Sequence, residues 1–475
     1  MKARSFLNLQ GERRIPFSVF QDLQFAQIFS DDVVQVLSHP CDAAEIKARQ
    51  DFFRLLENTD FFEKVSAFYT VLERLNKLEI LKRQSANTVS RFWILKEQLK
   101  GYLDAHQALS LLKGCSLTDR IIEARSNSAH LNLLASVKAD LAEMEHLLST
   151  VQLFDLSFSV QSWLTPDHQS ESFYERIVAS AKSLGLKTEP QKSDSIPPDE
   201  TLSHAVTALF PAQINALKTY HDRYDSLPIA DFLNDRKELK FFLEVHRFTK
   251  KHSLPHCYPL IAPRKEIWAT DAYDVFLISK NVNPVIPNDI FVTEEEPFFF
   301  LLGANGGGKT TYIRTVGINL ILFLSGCPIF AKKAEIFPFD TVLSHFPKDE
   351  CFTNVGRLDE EFLRVEEMLR QPNAFFLFNE TFSGTDDQRG SQLALDVADK
   401  MKTHKKCGIF VTHFYEVEKA DFPILQPLVD INAGNTRTYK ITKKSKVSSS
   451  YAADILKKYR LDYQSLVKRR HGDAT

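Results

Sequence analysis

Glycine is scarce in the first three-fifths of this chain and common in the rest. Only Gly11, Gly101, Gly114 and Gly185 precede residue 303, and the other twelve of its 16 glycines follow from there. A long glycine-poor stretch excludes a turn-rich β architecture for that part and favours helix, which glycine disfavours by about 1 kcal/mol relative to alanine. The six cysteines (41, 115, 257, 327, 351 and 407) never form a CxxC pair, which argues against a zinc ribbon or a disulfide framework and fits a reducing compartment. No apolar run is long enough to span a bilayer. The greasiest, Ile318 to Phe330, carries Asn319 and Pro328, and Met1–Phe6 lacks the apolar stretch of a signal peptide, so a cytoplasmic protein without membrane contact is expected. A surplus of one charge is also missing. The 59 basic and 61 acidic residues leave a formal charge of −2, so any nucleic-acid contact must come from local patches.

What the chain has is enough apolar matter for two to four domains: 475 residues, 44% of them hydrophobic. Phe61, Val65, Phe68, Leu72 and Leu75 recur at helical spacing, as do Leu134, Val137, Leu141, Met144 and Leu148, predicting long, laterally packed helices. A polar, proline-bearing break follows at 185–200, and then further helix around Leu239, Phe242, Leu243 and Val245, ending near Pro255. From about Ile267 the texture changes to short apolar runs between turn signals. Val275–Ile278, Pro297–Leu302, Ala374–Phe378 and Cys407–Thr412 read as buried strands with helices between them, an α/β pattern with a largely parallel sheet. The expected division is a mostly α part over 1–265 and an α/β part over 266–475.

Gly303-Ala304-Asn305-Gly306-Gly307-Gly308-Lys309-Thr310 satisfies G-x-x-x-x-G-K-[ST], between an apolar strand at Phe298–Leu302 and a helical pattern at Thr311–Leu324. In such a loop, glycines let backbone N–H groups converge on phosphates, the lysine reaches the β and γ oxygens, and the threonine hydroxyl holds Mg²⁺. The competing reading is a structural glycine-rich turn. Seventy residues on, the strand Ala374–Phe378 ends in Asn379-Glu380, where a P-loop ATPase places a metal-binding aspartate and then a glutamate that polarises water. Glu380 fits the second role; Asn379 departs from the first. His413, after the third strand, is either a γ-phosphate sensor or a structural strand-end histidine.

These residues resemble the MutS family of mismatch-repair ATPases. The loop Gly303–Thr311 with Tyr312-Ile313-Arg314 is similar to the family's, with Ala304 for its proline and Gly306 for its methionine. Pro284-Val285-Ile286-Pro287-Asn288-Asp289-Ile290 resembles the family's approach strand, which implies that Val285 and Ile286 border the adenine. Ala331–Ile336 matches the segment after the first ATPase helix, with Lys332 for the usual glutamine. Asn379–Gly390 is similar to the family's aspartate–glutamate loop, Thr412-His413-Phe414 to its threonine–histidine pair, and Ser450-Tyr451-Ala452 to its C-terminal dimerisation entry. Gly356-Arg357-Leu358 with Glu361 sits where the signature helix begins, without the family's serine–threonine pair. Leu37–Pro40, Asp42, Ile46 and Arg49-Gln50 resemble the opening of its core domain.

The resemblance implies a helical core/lever region followed by an α/β P-loop ATPase of ABC type. ATP would contact Gly303, Asn305, Gly306, Gly307, Gly308, Lys309, Thr310 and Thr311. Mg²⁺ would lie among Thr310, Asn379 and Glu380, with Glu380 and His413 as the catalytic pair. The expected protein is a reduced, homodimeric member without mismatch-reading domains. It would bind double-stranded or structured DNA and move its levers with ATP binding and slow hydrolysis. An RNA or ribosomal partner, or a nucleotide-gated interaction protein with negligible turnover, are the alternatives. The lysines and arginines crowding the C-terminus are either a nucleic-acid contact or a solvated face, and Phe92-Trp93 are either a base-stacking pair or core.

Overall fold

The computed structural model describes residues 6–7, 13–84, 88–150, 211–225, 227–346, 357–430 and 436–444. Among them the chain forms two compact units. One takes the described residues from Arg54 to Leu243, with Phe6 and Leu7; the other takes residues 13–53 and 244–444. No helix among the described residues is long and apolar enough to cross a membrane.

Three helices open the chain: α1 (Phe17–Asp22), α2 (Asp31–Leu37) and α3 (Ala43–Leu56). The helical unit then follows with α4 (Thr59–Gln84), α5 (Thr88–Ser110), α6 (Ser116–Ala124), α7 (Ser128–Thr150), α8 (Pro211–Tyr224) and most of α9 (Ile229–His252). The seam expected from spacing is the one that is buried: Phe61, Val65, Phe68, Leu72, Leu75 and Leu78 all face inward from α4. Gly101 lets α5 approach it closely, since a Cβ there would stand 2.7 Å from a Leu75 methyl. Phe92 and Trp93 are core, not an exposed stacking pair. Burial of each such side chain contributes about 2 kcal/mol, which outweighs what an exposed contact would return. The break at 185–200 lies outside the described residues.

The second unit holds two sheets. The smaller orders its strands β1-β5-β2-β3 from β1 (Leu260–Ile261), β2 (Ile267–Ala272), β3 (Asn288–Val292) and β5 (Lys333–Ile336). The larger is a mainly parallel sheet from β4 (Phe298–Leu301), β6 (Thr341–His345), β7 (Ala374–Asn379), β8 (Cys407–Val411), β9 (Ile424–Asp430) and β10 (Thr436–Lys443), ordered β10-β9-β4-β8-β7-β6. Its central strands are buried along their whole length, as strands covered on both faces must be. Phenylalanine fills one face: Phe300 and Phe378 both pack on Phe410, at ring separations of 5.6 and 5.3 Å. Among the described residues this unit also holds the end of α9 and the helices α10 (Val275–Ser279), α11 (Lys309–Leu324), α12 (Arg357–Met368) and α13 (Asp387–Thr403).

Two departures from expectation concern the layout of the elements. Val275–Ile278 is helix rather than strand. Asp274 caps it, its carboxylate accepting the N–H groups of Phe276 at 2.8 Å and Leu277 at 3.2 Å, and short apolar runs do not by themselves distinguish the two states. Residues 13–53, drawn with the helical part by sequence, pack on the sheet-bearing unit. Arg14 offers its carbonyl to the Thr341 hydroxyl at 2.8 Å, and Asp22 accepts from Ser344 at 2.6 Å, both along the edge strand β6. These contacts cover the edge strand, which would otherwise face outward. Farther on, the Cys41 N–H donates to Leu324 O at 2.8 Å and Arg49 to Ser325 O at 3.2 Å. The end of α11 is therefore closed by the chain's own beginning.

Candidate functional site

Three neighbouring parallel strands set the site. The register pairs Leu301 of β4 with Val411 of β8, and Val411 with Asn379 of β7. The residues that leave these strands at the same end are therefore Gly303 onward, Glu380 onward, and Thr412-His413. Open parallel sheets bind ligands at this carboxyl end. Two backbone links hold the exits side by side, Thr412 N–H donating to Leu301 O at 3.2 Å and Glu380 N–H to Val411 O at 2.8 Å, while Leu302 N–H ties β4 to Leu425 O of β9 at 2.9 Å.

The glycine-rich loop spans Gly303–Gly308 and delivers the chain into α11 at Lys309. Gly303, Gly306 and Gly308 have φ of 145°, 74° and 91°, a conformation that side-chain-bearing residues enter at a cost. The loop lies against β9, where a Cβ at Gly303 would stand 2.6 Å from the Pro427 ring. Lys309 is buried, and its ammonium donates to Gly303 O at 2.6 Å, Ala304 O at 3.2 Å and Asn305 Oδ1 at 3.3 Å. Burial lowers the Lys309 pKa, and the Glu380 carboxylate opposes that by favouring the charge. A buried cation beside the open N–H groups of a 16-residue helix's first turn suits an anion.

Asn379 is buried at the end of β7, and its Oδ1 accepts from Thr310 Oγ1 at 3.5 Å. This hydroxyl and amide oxygen are hard, neutral donors of the kind Mg²⁺ takes. Among the described residues no three His, Cys, Asp or Glu side chains gather as a metal site, so the donor set here is this oxygen pair with Glu380 beside it. Glu380 holds φ of 51° and Phe382 of 67°, two non-glycine residues in the left-handed region within one turn. Such strain persists where surrounding contacts enforce it. Here they include the Phe382 N–H, which donates to Glu361 Oε2 at 3.2 Å, and the Thr381 hydroxyl, paired with His345 Nδ1 at 3.0 Å. Burial pushes His345 down to about 4. His413 sits just past β8, its ring 4.7 Å from that of Phe414, and Thr412 Oγ1 accepts the Phe414 N–H at 3.1 Å. Thr311 lies in the first turn of α11, its carbonyl taken by Thr315 Oγ1 at 2.8 Å.

Val285 and Ile286 precede β3, which starts only at Asn288; the expected strand from Pro284 is shorter than drawn, because prolines 284 and 287 bring no N–H to a ladder. Asn288 ties this segment to β10, donating to Tyr439 O at 3.1 Å and accepting from the Ile441 N–H at 2.7 Å. Sequence reading missed β10 altogether. Arg437 donates to the loop carbonyls of Gly306 and Asn305 at 3.1 and 3.2 Å, and the exposed Tyr439 stands next to Gly308. No motif marks either residue. The two C-terminal lysines nearest this strand are paired, Lys443 with Glu296 and Lys444 with Glu418. Gly356, the remaining basic C-terminal residues and the segment around Tyr451 lie outside the described residues.

Residues 299–455 match the family model described as MutS domain V. The DNA mismatch repair protein MutS of Petrotoga mobilis is 29% identical over 145 residues, 30% of this chain and 18% of that protein. The DNA mismatch repair protein msh-2 of Neurospora crassa is 30% identical over 137 residues, 28% of this chain and 15% of that one. Endonuclease MutS2 of Bacillus cytotoxicus is 25% identical over 138 residues, 28% of this chain and 18% of its own length. The matches thus span less than a fifth of these relatives.

Proposed function

We propose that this chain, a MutS-family member by the match of its residues 299–455 to MutS domain V, binds ATP with Mg²⁺ at the strand ends just described and hydrolyses it slowly. The observation that carries this reading is the convergence of Lys309 and Thr310, Asn379 and Glu380, and Thr412 and His413 at the carboxyl end of three adjacent strands of one sheet. Lys309 and the N–H groups of Gly308 and the first turn of α11 hold the phosphates. Thr310 and Asn379 would provide oxygens for the metal, with Glu380 as a further donor beside them. Mg²⁺ supplies positive charge where the leaving phosphate oxygens become more negative. Glu380 orients a water and accepts its proton, and His413 acts as sensor of the terminal phosphate. Val285 and Ile286 border the base.

The relatives' names point to DNA. We assign this chain to ATP-dependent DNA binding as a homodimer, in which nucleotide state moves the helical part against duplex or branched DNA. The helical part would meet backbone phosphates rather than base edges, a contact that is sequence-blind and weakens with salt. Calorimetry with Lys309→Ala tests the foundation. Removing a charged hydrogen bond worth about 1.5–3 kcal/mol should weaken Mg-ATP binding by tenfold or more. Equal affinity for this variant and the parent would refute the site.

A further inference from the structure

Resting on the nucleotide reading above, we propose that Arg437 is a positioning residue that sets the phosphate loop for its ligand, in space that Gly306 leaves open. One guanidinium spans two consecutive peptides, Nη2 on the carbonyl of Asn305 at 3.2 Å and Nη1 on that of Gly306 at 3.1 Å. Its rigid fork suits this bridging, which a lysine ammonium, a point donor, does not reproduce. In a trans peptide the C=O and the following N–H point opposite ways. Holding both carbonyls toward Arg437 turns the N–H groups of Gly306 and Gly307 away from it. The Gly307 N–H accordingly points within the loop, donating to Ala304 O at 3.2 Å. Three successive glycines, Gly306–Gly308, would otherwise be the least restrained backbone in the site.

The glycine and the arginine are matched. A Cβ at Gly306 would stand 2.5 Å from Arg437 Nη1 and 3.2 Å from Cζ, so a side chain there and the guanidinium exclude each other. Gly306 occupies the position where the family resemblance has methionine, and in this chain the vacated space is filled by a residue 131 positions away. The support behind Arg437 is firm. Besides the Asn288 bonds to its strand, Lys440 donates to Pro287 O at 2.5 Å, and Pro427 of the partner strand β9 backs Gly303 and Gly307. The loop's shape is thereby tied to the β9–β10 pair.

The test measures affinity for Mg-ATP and Mg-ADP together with steady-state turnover on the full chain. Because the loop serves both nucleotides, Arg437→Ala should weaken both by about tenfold, raise KM in proportion and leave kcat within about twofold. Arg437→Lys should recover little of the loss. Gly306→Ala should weaken binding in the parent and weaken it less once Arg437 is alanine, because the strain at φ 74° remains while the clash with the guanidinium is gone. Affinity unchanged in Arg437→Ala, full recovery by lysine, or strictly additive effects of the two substitutions would each overturn the proposal. Lys309→Ala separates it from the reading beneath. If that variant loses ATP while Arg437→Ala matches the parent, only the positioning role falls; if Lys309→Ala binds normally, both fall.

Discussion

Asn379 keeps the outline of an aspartate and removes its charge at the position nearest Thr310, 3.5 Å away. A charged partner there is worth about 1.5–3 kcal/mol, so Asn379→Asp should speed phosphate release by ten- to a hundredfold at saturating Mg-ATP. Glu380→Gln should stop release while bound ATP remains. An unaltered rate in Asn379→Asp would mean that turnover does not depend on charge at this position. His345 makes a separate prediction, about stability. Its pKa is about 4 in the folded chain against an ordinary 6.5, so the unfolded chain takes up the proton first as pH falls. The stability from its neutral burial is intact above pH 6.5 and lost progressively toward pH 4, about 3 kcal/mol in all. Urea titrations should show His345→Gln with a visibly flatter decline across that window; parallel curves would contradict the assignment. Lys309, Thr310 and Glu380 stood out in the sequence because the patterns they belong to have fixed local spacing. Arg437, Tyr439 and His345 were not, since each reaches the site only through pairing with strands far along the chain.

The phenylalanine-rich runs of β4 and β7 declared themselves as strands because a parallel sheet covered on both faces wants unbroken apolar residues. The same signal misread Val275–Ile278, where the deciding feature was the carboxylate of Asp274 just before the run. It was also silent on β9 and β10, whose polar residues answer to an edge and to the glycine loop rather than to a core. Gly408 exposes how tightly the central strands are set. A Cβ there would stand 2.6 Å from the Phe376 carbonyl oxygen of the adjacent strand, and backbone cannot swing aside as a side chain can. Gly408→Ala should therefore cost about 1–3 kcal/mol and shift the β7 end that carries Asn379 and Glu380. An unchanged denaturation midpoint with unchanged turnover would show that the sheet absorbs the methyl group.

At the scale of the whole chain, length and glycine distribution foretold a helical part and an α/β part, but not that residues 13–53 return to the sheet-bearing unit. That return runs through contacts more than 270 positions apart, such as Arg49 with Ser325, which no local pattern encodes. Every role proposed for these residues requires a nucleotide at the ends of β4, β7 and β8. Amide hydrogen exchange along the full chain, with and without Mg-ATP, tests this most directly. Slowed exchange is predicted at Gly306–Tyr312, at Glu380–Phe382 and at Arg437–Ile441, the three stretches that the strand ends and the loop contacts bring together. Exchange that Mg-ATP leaves unchanged in all three, or slows only elsewhere in the chain, would contradict it.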